Sequence, residues 1–130
     1  MNTELFYLAC AATFTGLMFL PYVLDRIMVW GLVDTVGYPA NPKPLAPWAE
    51  RLHKAHDNAV ENLAVFATLV LCAHAAGVTG SAMGTLAMVY FWSRVVHAAA
   101  YTFALPWVRT LAFFGGFIAQ MGIAWMLLAR

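Results

Sequence analysis

Four stretches of this chain, residues 5–24, 59–78, 83–105 and 107–128, reach or approach the length and apolarity of a bilayer-crossing helix, which takes about 20 apolar residues. That feature constrains the fold more than any other, because hydrocarbon admits only segments whose backbone polar groups are satisfied internally. Composition agrees with it. Hydrophobic residues make up 63% of the chain and charged residues 10%, whereas a soluble domain carries about 25% charged residues. So few charges cannot coat a water-soluble globule of this size. The predicted fold is all-α: an integral-membrane, up-down four-helix bundle forming one domain over residues 1–130. The first stretch reads as a retained helix and not a cleaved signal. Only Glu4 precedes it among charged residues, and its apolar run exceeds the usual ~7–15 residues.

The connections follow from proline and glycine. Pro39, Pro42 and Pro44 exclude a regular helix between residues 30 and 46. Pro47 suits the first turn of the next helix, expected over about residues 47–76, because its missing donor is unneeded there. The turns GVTGS and LPW are short, so successive helices should pack antiparallel. Arg26, Lys43, Arg51 and Lys54 cluster between the first two stretches, and Arg109 lies close to the last turn. The opposite side offers only Arg130. By the preference of basic residues for the cytoplasmic side, the long first loop and the last turn face the cytoplasm and both termini face away. Trp30, Trp48 and Trp107 then mark the cytoplasmic interface and Trp125 the other. A net charge of +1 gives no basic excess for a nucleic-acid partner. Cys10 and Cys72, isolated in apolar runs without a C-x-x-C spacing, read as small core residues and not as a disulfide or metal site.

The second helix carries more polarity than solvation requires. At about 100° per residue, Glu50, Arg51, Lys54, Asn58, Glu61 and Asn62 share roughly one third of its circumference, with His53 and His56 off that arc. A stripe of this kind cannot face acyl chains without a partner or water. Arg94, His97 and Tyr101, at i, i+3 and i+7, repeat the pattern on the third helix, and Arg109 opens the fourth. A Glu61–Arg94 ion pair locking two helices is one explanation. The surplus of cations suits another: a small polyanion whose carboxylates meet Arg or Lys and whose ammonium meets Glu61.

Three segments on three different helices, HKAHDNAVEN (residues 53–62), RVVHAAAY (94–101) and LPWVRTLAFFGGF (105–117), resemble in order and spacing the MAPEG family, membrane-associated proteins in eicosanoid and glutathione metabolism. The likeness is closest to its microsomal glutathione transferase and prostaglandin E synthase branches. It implies a homotrimer holding glutathione, as co-substrate, in a U-shape between neighbouring subunits near the cytoplasmic face. Asn58 and Glu61 match the family's second-helix ligands. His56 matches a position held by His or Gln. Arg94, His97 and Tyr101 match the third-helix set, and Arg26 is a looser match to a further carboxylate-binding arginine. Arg51 and Lys54 belong to the same implied glutathione set, although Lys54 replaces a usual arginine and lacks its bidentate fork. Arg109 matches the arginine credited with stabilising the glutathione thiolate. Phe113 and Phe114 stand where some synthases have a tyrosine.

The implied activity is a membrane-embedded glutathione transferase or peroxidase acting on a lipophilic electrophile or hydroperoxide. A thiol of pKa near 8.5 is only a few per cent ionised at neutral pH, and lowering it by about two units takes roughly 2.7 kcal/mol. One guanidinium in a low-dielectric site is of that scale. The rival from another class is a non-catalytic scaffold or accessory subunit of the same fold. A metal enzyme is disfavoured: Glu50 and His53 have di-iron spacing, but the third and fourth helices contain no Asp or Glu. A bacterial inner membrane fits the compact length and the lack of a retention signal better than the endoplasmic reticulum.

Overall fold

A computed structural model describes residues 1–129, so Arg130 lies outside the described residues. The elements are α1 (Thr3–Leu17), α2 (Phe19–Trp30), α3 (Leu32–Val36), α4 (Pro47–Ala75), α5 (Ser81–Thr102) and α6 (Pro106–Leu128), with no strand among the described residues. By length and composition, three helical segments can cross a membrane: Thr3–Trp30, Pro47–Ala75 and Pro106–Leu128. The expected fourth, α5, is long enough but less apolar. Arg94 and His97 lower its hydropathy, and both are buried against other helices.

The first stretch is broken where a continuous helix was expected. Pro21 has no N–H for the carbonyl of Leu17, four residues earlier. The hydrogen-bond ladder is interrupted at Met18, which keeps helical dihedrals (φ −63°, ψ −23°) while its N–H bonds the Thr15 carbonyl, three residues back, at 3.3 Å. Pro47 and Pro106 open α4 and α6 at the first turn, where proline is tolerated. Two side chains tie down the long connection. The buried Asp25 accepts a bond from the Ala46 N–H (3.0 Å) at the start of α4, and Trp30 Nε1 donates to the Lys43 carbonyl (2.6 Å). Within that connection, residues 32–36 form the short helix α3, which the prolines beyond it do not prevent.

Helix α5 packs against α1, α4 and α6, and α4 also meets α1, α2 and α6. Small residues such as Ala55, Ala59, Ala87, Ala98 and Ala119 are buried at these contacts, allowing the backbones to approach closely where lipid supplies no hydrophobic drive. Phe66 and Tyr90, fully buried, stack at 3.8 Å with planes 12° apart. Outside, Leu71, Trp92, Phe114, Phe117 and Ile118 are exposed, and so is Cys72. Cys10 is half-buried, so neither cysteine is the core residue its apolar run suggested, because in lipid apolar runs also face outward. An apolar exterior around polar contacts between helices suits hydrocarbon as solvent.

The two short turns share one device. After α4, Val78 N–H bonds the Ala73 carbonyl (2.8 Å) and Gly77 N–H the His74 carbonyl (3.2 Å). After α5, Leu105 N–H bonds the Ala100 carbonyl (2.8 Å) and Ala104 N–H the Tyr101 carbonyl (3.3 Å). Both are Schellman ends, which need a left-handed residue. Gly77 supplies it at φ 71°, but Ala104 adopts φ 58° with a Cβ. That conformation costs a non-glycine residue about 1 kcal/mol or more. Ala104→Gly should therefore raise stability by about 0.5 kcal/mol once glycine's extra unfolded-state entropy is counted, and Gly77→Ala should lower it by about 1 kcal/mol. Opposite shifts of the thermal midpoint in one detergent check both.

Candidate functional site

The amino-terminal half of α4, the carboxy-terminal end of α5 and the start of α6 meet at one end of the molecule. The α4–α5 turn reverses the chain, so Arg51 near the start of α4 reaches the end of α5. Its Nε donates to the Thr102 carbonyl at 2.9 Å, satisfying a carbonyl that the last helical turn leaves open. The Arg109 guanidinium stacks over the Tyr101 ring, 5.0 Å from its centroid, a cation–π contact that holds the charge without neutralising it.

Asn58, His97, Tyr101, Arg109, Thr110 and Phe113 line a cleft of about 330 Å³. A smaller one of about 200 Å³ lies beside it, lined by Arg51, Tyr101, Ala104 and Arg109 among others. Arg109 is the cation common to both, and no carboxylate lines either. Two larger grooves, of about 500 and 520 Å³, are almost wholly apolar and open on the outer faces of α5 and α6 and of α1. Size alone would favour them. The chemistry lies in the two small clefts, where donors converge.

Arg94, behind the cleft, and His97, in its wall, are only 4% and 3% exposed. Arg94 donates to Asn58 Oδ1 at 2.6 Å, which removes the ion pair with Glu61 considered from the sequence. Among the described residues the sole ionic contact within 4.0 Å is His53 with Asp57, at 4.0 Å. Among the described residues no carboxylate therefore lies within 4.0 Å of an Arg or Lys charge to neutralise it. Arg94 Nε and His97 Nδ1 are buried without a hydrogen-bond partner. The His97 ring packs against those of Tyr101 (5.7 Å) and Phe113 (6.3 Å).

Of the ten residues singled out in the sequence, Asn58, His97, Tyr101 and Arg109 share the cleft, Arg51 lines its neighbour, and Arg94 stands behind Asn58. Four lie elsewhere in the single chain. Lys54 and Glu61 are exposed. His56 Nδ1 is 2.7 Å from the Tyr22 hydroxyl on α2, and the Arg26 guanidinium stacks 5.1 Å from the Trp30 ring. Residues two apart on a helix do not share a face, so His56 and Asn58 look in different directions. Sequence reasoning missed Thr110, Tyr22 and Gln120. Gln120 was detectable as an amide within an otherwise apolar helix; its Nε2 donates to the Asn62 carbonyl at 3.1 Å.

Apolar-faced helices with a donor-lined, cationic cleft at one end define the class, a helical membrane protein. The MAPEG family model matches residues 6–129, and the chain belongs to the MAPEG family. These are membrane proteins that generally bind glutathione, and they include glutathione transferases and peroxidases. No curated protein and no solved structure matches the chain.

Proposed function

We propose that this protein is a membrane-embedded, glutathione-dependent transferase or peroxidase. Glutathione is its co-substrate, and the thiolate, stabilised by Arg109, attacks a lipophilic electrophile or hydroperoxide. The observation that carries this is the cleft lining: a guanidinium without a carboxylate partner beside an amide, a phenol and a hydroxyl. At about 330 Å³ the cleft lies near the lower end of small-molecule sites, which span about 300–1,000 Å³. The adjoining Arg51 cleft extends it.

The reading includes assembly as a homotrimer of four-helix transmembrane protomers, since Arg26 and His56, outside the cleft of their own chain, reach a bound tripeptide only from a second protomer. Glutathione bound between subunits would meet Asn58, His97, Tyr101 and Arg109 from one protomer, while a neighbour presents its α2–α4 face with Arg26 and His56. The site then lies where cytosol meets hydrocarbon. Glutathione arrives from water and the second substrate from lipid.

Adding glutathione to the purified protein at neutral pH should produce the thiolate absorbance band, and Arg109→Ala at equal saturation should not. Glutathione binding without a thiolate band would instead assign the chain to the non-catalytic scaffolds of this fold.

A further inference from the structure

The orientation of one amide decides what the cleft can accept. Arg94 has donors only, so the Asn58 atom 2.6 Å from it must be the carbonyl oxygen Oδ1. Asn62, one turn further along α4, directs its Nδ2 at the same oxygen (3.3 Å) and at the Asn58 backbone carbonyl (2.9 Å). Both lone pairs of Oδ1 are thus engaged from behind. What Asn58 has left for the cleft is Nδ2, with two hydrogens to donate. Asn58 lines the cleft together with Arg109, whereas Arg94 and Asn62 do not.

We infer that Arg94 and Asn62 are positioning residues: together they hold Asn58 as an obligate donor and so restrict the cleft to ligands presenting a carboxylate or other acceptor at that point. This rests on glutathione being the ligand, and it changes the part assigned to Arg94. A side chain 4% exposed and bonded to Asn58 acts on the ligand through that amide and not by touching it. Asn62 joins the site on the same ground. Gln120, donating to the Asn62 carbonyl, ties α6 to the same turn of α4.

Asn58→Asp separates this role from a packing role. The variant gives Arg94 an ionised acceptor, so the thermal midpoint should be held or raised, but it turns an acceptor oxygen toward the cleft. Glutathione affinity should fall about 30-fold or more, the range for removing a hydrogen bond to a charged group and leaving acceptor facing acceptor. Asn62→Ala should weaken glutathione about threefold to tenfold in the parent and leave affinity unchanged in an Asn58→Ala background, because its effect passes through that amide.

The same double-mutant cycle read by thermal unfolding without ligand keeps the two proposals apart. Coupling of Asn58 with Asn62 in stability, in a parent that binds no glutathione, would overturn the proposed function and leave the amide orientation standing. Unchanged glutathione affinity in Asn58→Asp, or an Asn62→Ala effect of equal size in both backgrounds, would overturn the positioning role.

Discussion

Arg109→Ala is expected to lower glutathione conjugation about 100-fold, the scale of losing one charge-stabilising donor aimed at the developing anion. Arg109 is the one cation lining both clefts, and no carboxylate beside it shares its charge. Its guanidinium is held by the Tyr101 ring, 5.0 Å away. Removing it should therefore cost little stability, and the loss should fall on kcat more than on KM for glutathione. Arg109→Lys should fall between the two, since an ammonium keeps the charge and loses the planar stack on Tyr101. The measurement is kcat/KM toward a model aryl halide and a lipid hydroperoxide, with thermal midpoints alongside. Equal rates in parent and alanine variant would remove Arg109 from the mechanism.

Much of the frame that holds this arginine was readable in the residues. Pro47 and Pro106 open α4 and α6, and the turns at residues 76–80 and 103–105 reverse the chain. Periodicity placed Arg94, His97 and Tyr101 on one face, and the buried His97 packs on Tyr101. What the wheel could not supply was partners. It put Glu61 and Asn58 on one stripe, but only the packed helices decide that Arg94 meets the amide and leaves Glu61 exposed. The break at Met18 was signalled by Pro21 and hidden by counting the run for apolarity alone. The capping of α4 by Asp25 spans 21 residues of chain and a proline-rich loop, beyond the reach of any local pattern. His56 illustrates the limit most sharply. A matching position in a motif gave it a ligand role, yet within one chain it faces Tyr22.

Two adjacent glycines on α6 should respond in opposite ways, and the contrast tests whether the spacing between α5 and α6 sets the geometry of the cleft. A Cβ at Gly115 would lie 2.9 Å from Ser93 Oγ and 3.7 Å from Ser93 Cβ. A Cβ at Gly116 would meet Arg94 Cδ at 3.7 Å and Tyr90 Cδ2 at 3.8 Å, ordinary van der Waals contact. Gly116→Ala thus fills available space in a helix interior and should be neutral or stabilising by up to about 1 kcal/mol. Gly115→Leu sets its Cβ 2.9 Å from Ser93 Oγ, so that hydroxyl must turn away or α6 must part from α5, and it should cost about 1–3 kcal/mol, as overpacking does. Arg109 sits six residues earlier on the same helix, a rise of about 9 Å, so a displaced α6 should also part Arg109 from Tyr101 and reduce conjugation along with stability. Thermal midpoints and conjugation rates of the two variants, measured in the same lipid or detergent, decide it. Equal destabilisation by both would place the tight contact somewhere other than Ser93. Loss of stability in Gly115→Leu with full activity would show that the cleft does not depend on how closely these helices approach.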